Sequence, residues 1–312
     1  MPIPYKFFLK ISMKSIKITR AAVLTSALCC SLVTSSVYAQ STPTSAIETT
    51  PVTTSNTLTE TTSDVGWWTS QPKEKKLLYT NVIAASLIGI WGLAEWDYGS
   101  ASWHDADEGW FEQDSKYGGA DKAGHFWATY TFSDALTGLY KHWGYDSRRA
   151  STYAAWSAWG VQAFMEMADA TSETQGFSWE DMAMNTAGAL TSVLMERYPG
   201  LDRKIDFRVE YVFNVDINGI FDDYSNQYYS MVLKLDGFDS IENTMLKYLE
   251  LSAGYYTRGY DDDEEDDERF LYAGVSLNFA RLFHQNGWTK TGKTLEYIDI
   301  PYSVLKASHG LD

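Results

Sequence analysis

The amino-acid sequence predicts an α+β fold: a bundle of about four helices, followed by a small antiparallel β-sheet and a short C-terminal helix. Up to about residue 198 the apolar residues recur with a helical period, and after residue 205 they recur every second position. With 45% hydrophobic and 21% charged residues, the composition is that of a globular chain. These observations divide the folded part into a helical domain, 64–204, and a β-rich region, 205–312.

Local signals define the ends of the predicted helices. Ser178 is a favourable N-cap with Asp181 three residues later, and Pro199-Gly200 stops the same helix. The first helix contains eighteen residues without a charge, so it either spans or lies in a membrane or forms a buried core helix. The predicted helices are Leu77–Ala94, Asp121–Trp143, Ser147–Ala168 and Trp179–Tyr198.

The β-rich region contains four segments in which β-branched, aromatic and apolar residues are frequent. In the last segment, odd-numbered residues from Leu271 to Phe279 are apolar, and the alternate face carries Tyr272, Ser276 and Asn278. The sheet should therefore have one apolar face, which packs on the helices or on another subunit. The predicted strands are Phe207–Val215, Gln227–Leu235, Tyr248–Arg258 and Phe270–Arg281.

The N-terminal residues predict export. Residues 1–39 have the basic start, apolar centre and Val37-Tyr38-Ala39 site of a signal peptide, and the Ser/Thr-rich residues 40–63 predict a disordered tether. Both cysteines, Cys29 and Cys30, lie in the signal, which excludes disulfides and zinc–thiolate sites from the mature chain. The predicted location is the periplasm, in association with the inner or outer membrane.

The charge balance restricts the partners. The formal net charge is −16, and basic residues are concentrated in the signal peptide. An acidic mature chain excludes nucleic acid as a partner, because such binding depends on cationic contacts to phosphate. A membrane or envelope component is the expected partner. The acidic run 261–268 predicts a solvated hairpin loop, with calcium binding as the alternative.

A set of polar residues interrupts otherwise apolar helices. Charged groups in packed helices are costly unless they are paired or bind a metal, so antiparallel helices would favourably bring these side chains together. One imidazole among carboxylates suits a divalent cation, with candidate ligands Asp121, His125, Glu166 and Asp169, or an acid–base pair, His125 and Glu166. The alternative is a purely structural polar core. The predicted cluster comprises Asp121, Lys122, His125, Glu166, Asp169, Ser178, Asp181 and Asn185.

These residues also carry a resemblance. The series Asp121-Lys122-Ala123-Gly124-His125, Glu166-Met167-Ala168-Asp169 and Ser178-Trp179-Glu180-Asp181 with Asn185 resembles the YfiM-like family of predicted periplasmic lipoproteins, a domain of unknown function. The same helices are more weakly similar to VanZ-like membrane proteins, in which a Gln occupies the position of Asp169. The resemblance to the YfiM-like family extends to the preceding Glu108-Gly109-Trp110 stretch, and it implies that the polar residues form one site. It brings no activity that can be transferred.

Three functional hypotheses follow. The first is an exported, membrane-associated envelope protein of the YfiM-like type, with a structural or ligand-binding role around the buried Asp/His/Glu cluster. The second is a metal-dependent or acid–base hydrolase or transferase acting on an envelope lipid or cell-wall precursor. The third is a module that docks a protein partner through its C-terminal sheet. The sequence leaves open whether the chain is an enzyme.

Overall fold

A computed structural model of the chain describes residues 66–213, 223–260 and 266–312. The predicted signal peptide and tether lie outside the described residues, as do the last two residues of the strand predicted to end at Val215 and most of the acidic run. The chain divides into two compact units at Pro72. Of the first unit, the structure describes a one-turn helix, Trp67–Ser70.

The second unit begins with four long helices, as the sequence predicts, with ends within a few residues of the predicted ones. They are α1, Lys73–Glu95; α2, Ala120–His142; α3, Ser147–Asp169; and α4, Trp179–Arg197. A short turn, Pro199–Asp202, follows. Helix α2 packs on both α3 and α4, and α1 packs on α3.

Helices α2 and α4 pack closely at Gly188. A Cβ atom at this position would lie 2.4 Å from the backbone oxygen of Phe126 and 3.0 Å from the backbone nitrogen of Tyr130. Because both atoms belong to the backbone of α2, the helices would have to separate to accept any side chain. Gly188 therefore sets the distance at which the polar faces of α2 and α4 meet.

We expect Gly188→Ala to lower the free energy of unfolding by about 1–3 kcal/mol, the usual cost of overpacking. Gly138→Ala is the matched control, because Gly138 lies in α2 and a Cβ there would have open space. That change should raise stability by up to about 1 kcal/mol through helix propensity. Equal responses of the two variants in chemical denaturation would show that the helices are not in close contact at Gly188.

The remainder of the unit is a six-stranded sheet of order β5-β1-β2-β3-β4-β6, with two short helices between β4 and β5. The predicted α+β class is confirmed, and two short strands beyond the predicted four complete the sheet. All neighbours are antiparallel except β1 and β5, which are parallel. The elements are β1, Ile205–Tyr211; β2, Gln227–Lys234; β3, Leu249–Arg258; β4, Glu268–Leu277; α5, Phe279–Gln285; α6, Thr289–Thr294; β5, Ile298–Asp299; and β6, Leu305–Gly310.

The strand predicted over Phe270–Arg281 is too long at its C-terminal end. It stops at Leu277, and a helix starts at Phe279. The Asn278 side chain causes the change, because its oxygen accepts a hydrogen bond from the backbone N–H of Arg281 at 2.8 Å and caps α5.

The sheet is strongly curved. Lys306 on β6 forms an ion pair of 2.5 Å with Glu210 on β1, although three strands separate β1 from β6. In a flat sheet these strands would lie roughly 19 Å apart, farther than the two side chains reach together. The curvature encloses a polar face, on which Arg208 is surrounded by Asp206, Glu250 and Asp299.

The alternation predicted for β4 is correct, but the buried face is the polar one. Tyr272 and Ser276 are buried, while Leu271, Val275 and Leu277 are exposed. The expected packing of the apolar face on helices holds for part of the sheet, where Phe207 of β1 contacts Phe126 and Tyr130 of α2. Docking of a protein partner on the rest of this face stays a prediction.

Candidate functional site

The site lies at one end of the helix bundle, beneath two loops that pair with each other. One loop connects α1 to α2 and the other connects α3 to α4. The backbone N–H of Ala106 donates to the carbonyl oxygen of Phe177 at 2.8 Å. The N–H of Phe177 in turn donates to the carbonyl oxygen of His104 at 3.1 Å. This pairing holds the first loop over the ends of α3 and α4. It also positions Glu108, which the sequence analysis did not include in the cluster.

A left-handed turn at Gly119 directs the first residues of α2 into the site. Gly119 has φ of 81°, and a Cβ there would lie 2.2 Å from the carbonyl oxygen of Trp110. Only glycine fits such a turn without strain. The helix then starts at Ala120, so Asp121, Lys122 and His125 enter from its first two turns.

Helices α3 and α4 supply the opposite wall. The Ser178 side chain caps α4 as predicted, accepting a hydrogen bond from the N–H of Asp181 at 3.1 Å. The N–H of Ser178 donates to Glu166 Oε2 at 3.3 Å, so Glu166 of α3 takes the place of the acidic partner in a capping box. The Asp181 carboxylate is thereby left to face the interior.

Lys122 is the central cation of the site, and its side chain is fully buried. Its Nζ lies 2.6 Å from Glu108 Oε2 and 2.8 Å from Asp121 Oδ2. It also lies 3.1 Å and 3.2 Å from the two oxygens of Asp181, only the longer contact having hydrogen-bond geometry. Glu108, Asp121 and Asp181 have carboxylate oxygens close enough to hold a metal, but the ammonium group already occupies the space between them.

His125 lies between two further carboxylates. Its Nδ1 is 3.6 Å from Glu166 Oε1, and its Nε2 is 3.7 Å from Asp181 Oδ2. Both distances exceed those of hydrogen bonds. The three residues nevertheless have potential ligand atoms within 4.8 Å of one another. In this second group the imidazole itself lies between the carboxylates, and the Lys122 ammonium group contacts Asp181 but not Glu166.

Asn185 contacts the imidazole ring of His125 and orients it. It is fully buried, and its Oδ1 accepts from Thr129 Oγ1 at 2.8 Å and from Gln162 Nε2 at 3.3 Å. The same oxygen is 3.3 Å from His125 Nδ1. A proton on Nδ1 would be donated to this acceptor, which leaves the lone pair of Nε2 on the side of Asp181.

The carboxyl groups differ in their pKa. Burial raises the pKa of Glu166 to about 8, against the opposing effect of His125. Burial likewise raises the pKa of Asp121 to about 6, although Lys122 lowers it. Burial also raises the pKa of Glu108. The positive charges of Lys116 and Lys122 together outweigh this effect, so the net pKa of Glu108 is lowered to about 2.

Burial and interactions with neighbouring groups also explain the pKa shifts of Asp169 and His125. Burial raises the pKa of Asp169 to about 7, and a hydrogen bond with Tyr98 opposes this effect. Burial lowers the pKa of His125, but the carboxylates of Asp181, Glu166 and Asp121 raise it by more, so the net shift is upward. The site therefore combines a stable ion pair at Glu108 with carboxyl groups that resist ionisation.

Glu166 should make the cation-free protein less stable as the pH rises. Its pKa in the folded state is about 8 and its ordinary value is 4.5, so between these values the folded state holds the extra proton. The free energy of unfolding should fall through this window by at most about 1.4 kcal/mol per pH unit, and above the window the contribution of Glu166 should no longer change with pH. Denaturation of the wild type and Glu166→Gln with chelator present tests this, since the variant should lack that part of the slope. Parallel pH profiles would contradict it.

The structure brings together most of the residues selected from the sequence. One contiguous network contains Asp121, Lys122, His125, Glu166, Ser178, Asp181 and Asn185. Of the four candidate metal ligands, His125 and Glu166 fall in one group with Asp181, Asp121 falls in the other, and Asp169 lies in neither. The residues that the sequence analysis missed are Glu108, Lys116, Thr129 and Gln162. The first lies in the Glu108-Gly109-Trp110 stretch that carried part of the resemblance, which was an available signal.

Residues 107–197 match the family model described as "Predicted periplasmic lipoprotein (DUF2279)". The matched segment contains the whole network, from Glu108 to Asn185. This description agrees with the exported, periplasmic and membrane-associated location predicted from the sequence. The chain has no significant match among curated proteins or solved structures. The YfiM-like and VanZ-like resemblances stay predictions.

Proposed function

We propose that this chain is a membrane-associated protein of the cell envelope that binds one divalent cation through His125, Glu166 and Asp181. The observation that carries the proposal is that two groups of potential ligands share Asp181, and only one of them contains an ammonium group. Lys122 neutralises the group with Glu108 and Asp121. In the group with His125, the ammonium group reaches Asp181 alone, and Glu166 has no ion pair with a Lys or Arg side chain among the described residues.

The charge balance supports a bound cation. Four carboxyl groups, those of Glu108, Asp121, Glu166 and Asp181, are buried in the site together with one fully buried ammonium group, which contacts all of them except Glu166. Lys116, which is partly exposed, pairs with Glu108 at 2.7 Å and extends the positive charge only to that side. Buried carboxylates without a counter-ion are either protonated or bound to a metal. A divalent cation beside Glu166 would allow that group to ionise.

The donor set and its spacing also fit. Imidazole nitrogen with two carboxylate oxygens is a ligand set that zinc and similar ions accept, with further positions left for water. Ligand atoms around a tetrahedral zinc ion lie roughly 3.3–3.6 Å apart. The contacts of His125 with Glu166 and Asp181, at 3.6 and 3.7 Å, are close to this value. They use different ring nitrogens, so one carboxylate must rotate toward the coordinating nitrogen.

Asn185 would then orient the ligand His125 without binding the cation itself. An acceptor for the non-coordinating N–H of a histidine is the usual support of a metal ligand, because it fixes the tautomer and the orientation of the ring. The contact between His125 Nδ1 and Asn185 Oδ1 provides it. Asp181 Oδ1 is a buried oxygen that makes no hydrogen bond in the described part of the chain.

The test is elemental analysis and zinc titration of the full chain prepared without chelator. The wild type should bind one equivalent, and His125→Ala and Glu166→Gln should lose it while retaining the helical circular dichroism spectrum. His309→Ala and Glu242→Gln are matched controls at exposed residues outside the site and should bind normally. Zinc, manganese and magnesium are titrated separately, because the donor set favours the first two over the last.

A wild-type protein that binds none of these ions, with both variants merely less stable, would overturn the proposal and make the network a structural polar core. Binding that survives both His125→Ala and Glu166→Gln would place the ion elsewhere.

A hydrolase or transferase is the second candidate. The raised pKa of Glu166, about 8, beside His125 favours it, because such a pair exchanges protons near neutral pH. Turnover of an envelope lipid or cell-wall precursor that is lost in Glu166→Gln but retained in Glu242→Gln would support this candidate.

A further inference from the structure

The outer surface of the helix bundle is more apolar than its interior. In α3 the buried positions include Ser151, Ser157 and Gln162, whereas Trp156 is 66% exposed and Phe164 is also exposed. A helix on the surface of a water-soluble domain has the opposite pattern, with its apolar stripe inside.

Helix α4 repeats this inversion. It buries Asn185, Gly188 and Ser192 and leaves Leu190 65% exposed, with Leu194 exposed one turn later. Small and polar residues between helices, with large apolar residues outside, are typical of helices that associate in lipid. Helix α1 shows the extreme case, because Gly92 is its sole buried residue and Ile90 and Leu93 are largely exposed.

The three outer faces adjoin and carry no charge. Phe164 of α3 lies against Gly89 of α1, and α3 packs on α4. The uncharged stretches are 77–94, 150–165 and 182–195. The first would be about 27 Å long, close to the hydrocarbon thickness of a bilayer of roughly 30 Å. Among the described residues, α1 is the one helix long and apolar enough to cross a membrane.

Charges are concentrated at the two ends of these helices, with opposite sign. The candidate cation site and its carboxylates lie at one end. At the other end Lys73 donates to the carbonyl oxygen of Gly144, and Lys141 pairs with Glu196, which brings the start of α1 to the ends of α2 and α4. Arg148 and Arg197 line a cavity of 330 Å³ there. This basic end, in a chain of net charge −16, complements the phosphates of lipid headgroups.

We propose that the outer faces of α1, α3 and α4 form one lipid-contacting surface, which lies against the hydrocarbon of a bilayer. This surface is distinct from any N-terminal anchor, because an anchor would hold the chain near a membrane without covering α3 and α4. The surface is also independent of the cation site, since it rests on the outer faces of the helices and not on His125, Glu166 or Asp181.

Spin labels can identify what covers the surface. The full chain, with Cys29→Ser and Cys30→Ser as background, receives a nitroxide through Trp156→Cys or Leu190→Cys and is reconstituted in phosphatidylethanolamine–phosphatidylglycerol vesicles. Met245→Cys is the matched control, an apolar residue that is 79% exposed on the connection between β2 and β3. Collision rates are measured with oxygen, which concentrates in hydrocarbon, and with a water-soluble nickel chelate.

Labels at 156 and 190 should show an oxygen-to-nickel collision ratio several-fold above that at 245. Nickel collisions at 156 and 190 as frequent as at 245 would overturn the proposal, because the surface would then face water. Low collision rates with both reagents would also overturn it, since a second protein copy would be covering the helices. Circular dichroism of each labelled protein controls for misfolding.

Discussion

Lys122→Met is expected to destabilise the chain more than any other single change in the site, by about 3–5 kcal/mol. The ammonium group is fully buried and contacts Glu108, Asp121 and Asp181 at 2.6–3.2 Å. Removing it leaves these carboxylates buried without their cation, and methionine fills the volume without replacing the charge. Chemical denaturation measures the loss, and a variant that does not fold in the absence of denaturant meets the expectation.

Lys116→Met is the matched control. Lys116 pairs with Glu108 at 2.7 Å, but its side chain is partly exposed, so water can replace the lost contact. We expect a loss of about 1 kcal/mol or less. Adding Asp181→Asn to Lys122→Met should recover part of the stability, because it removes one of the uncompensated charges. A Lys122→Met protein as stable as Lys116→Met would contradict the assignment of Lys122 as the internal counter-ion.

Arg208→Met should cause a comparable loss in the sheet, again about 3–5 kcal/mol. Both terminal nitrogens of Arg208 bind Glu250, at 2.8 and 2.9 Å, and the same group contacts Asp206 and Asp299. These contacts join β1, β3 and β5 across the enclosed face. The loss should appear as cooperative unfolding at lower denaturant concentration.

Two variants test the origin of this effect. Arg208→Lys keeps the charge but cannot form the paired contact with Glu250, so it should recover only part of the stability. Arg203→Met removes an exposed ion pair with Asp239 and should change stability by less than about 1 kcal/mol. If Arg208→Met were as mild as Arg203→Met, the enclosed face would have to be hydrated.

The sequence predicts the helices closely because their ends are determined locally. Ser178 caps α4, and Pro199 follows its last turn, so the signals lie within a few residues of the ends that they specify. The same holds for the spacing of Asp121 and His125. Their convergence with Glu166 and Asp181 required only that neighbouring helices pack with these ends together.

Two features could not be predicted in this way. Glu108 lies in an irregular loop without periodicity, and it reaches Lys122 because that loop pairs with another loop about seventy residues later in the chain. The alternation in β4 identifies two faces, but it does not determine which one is enclosed. That choice depends on partners from distant strands, such as Arg208 for Glu250, which compensate one another's charge only in the assembled sheet.

The pairing of the two loops at His104–Ala106 and Phe177 has a kinetic consequence. The two loops are joined by backbone hydrogen bonds, by a few side-chain hydrogen bonds and by stacking of Trp103 on Phe177. Because they form no continuous helix or sheet, they can separate at a smaller free-energy cost than the packed helices can. Separation would admit solvent to His125 while α2, α3 and α4 stayed folded. A cation would thus enter and leave at the rate of this local opening. Hydrogen exchange of the Ala106 and Phe177 amides would report that rate at high pH, where intrinsic exchange is faster than reclosing.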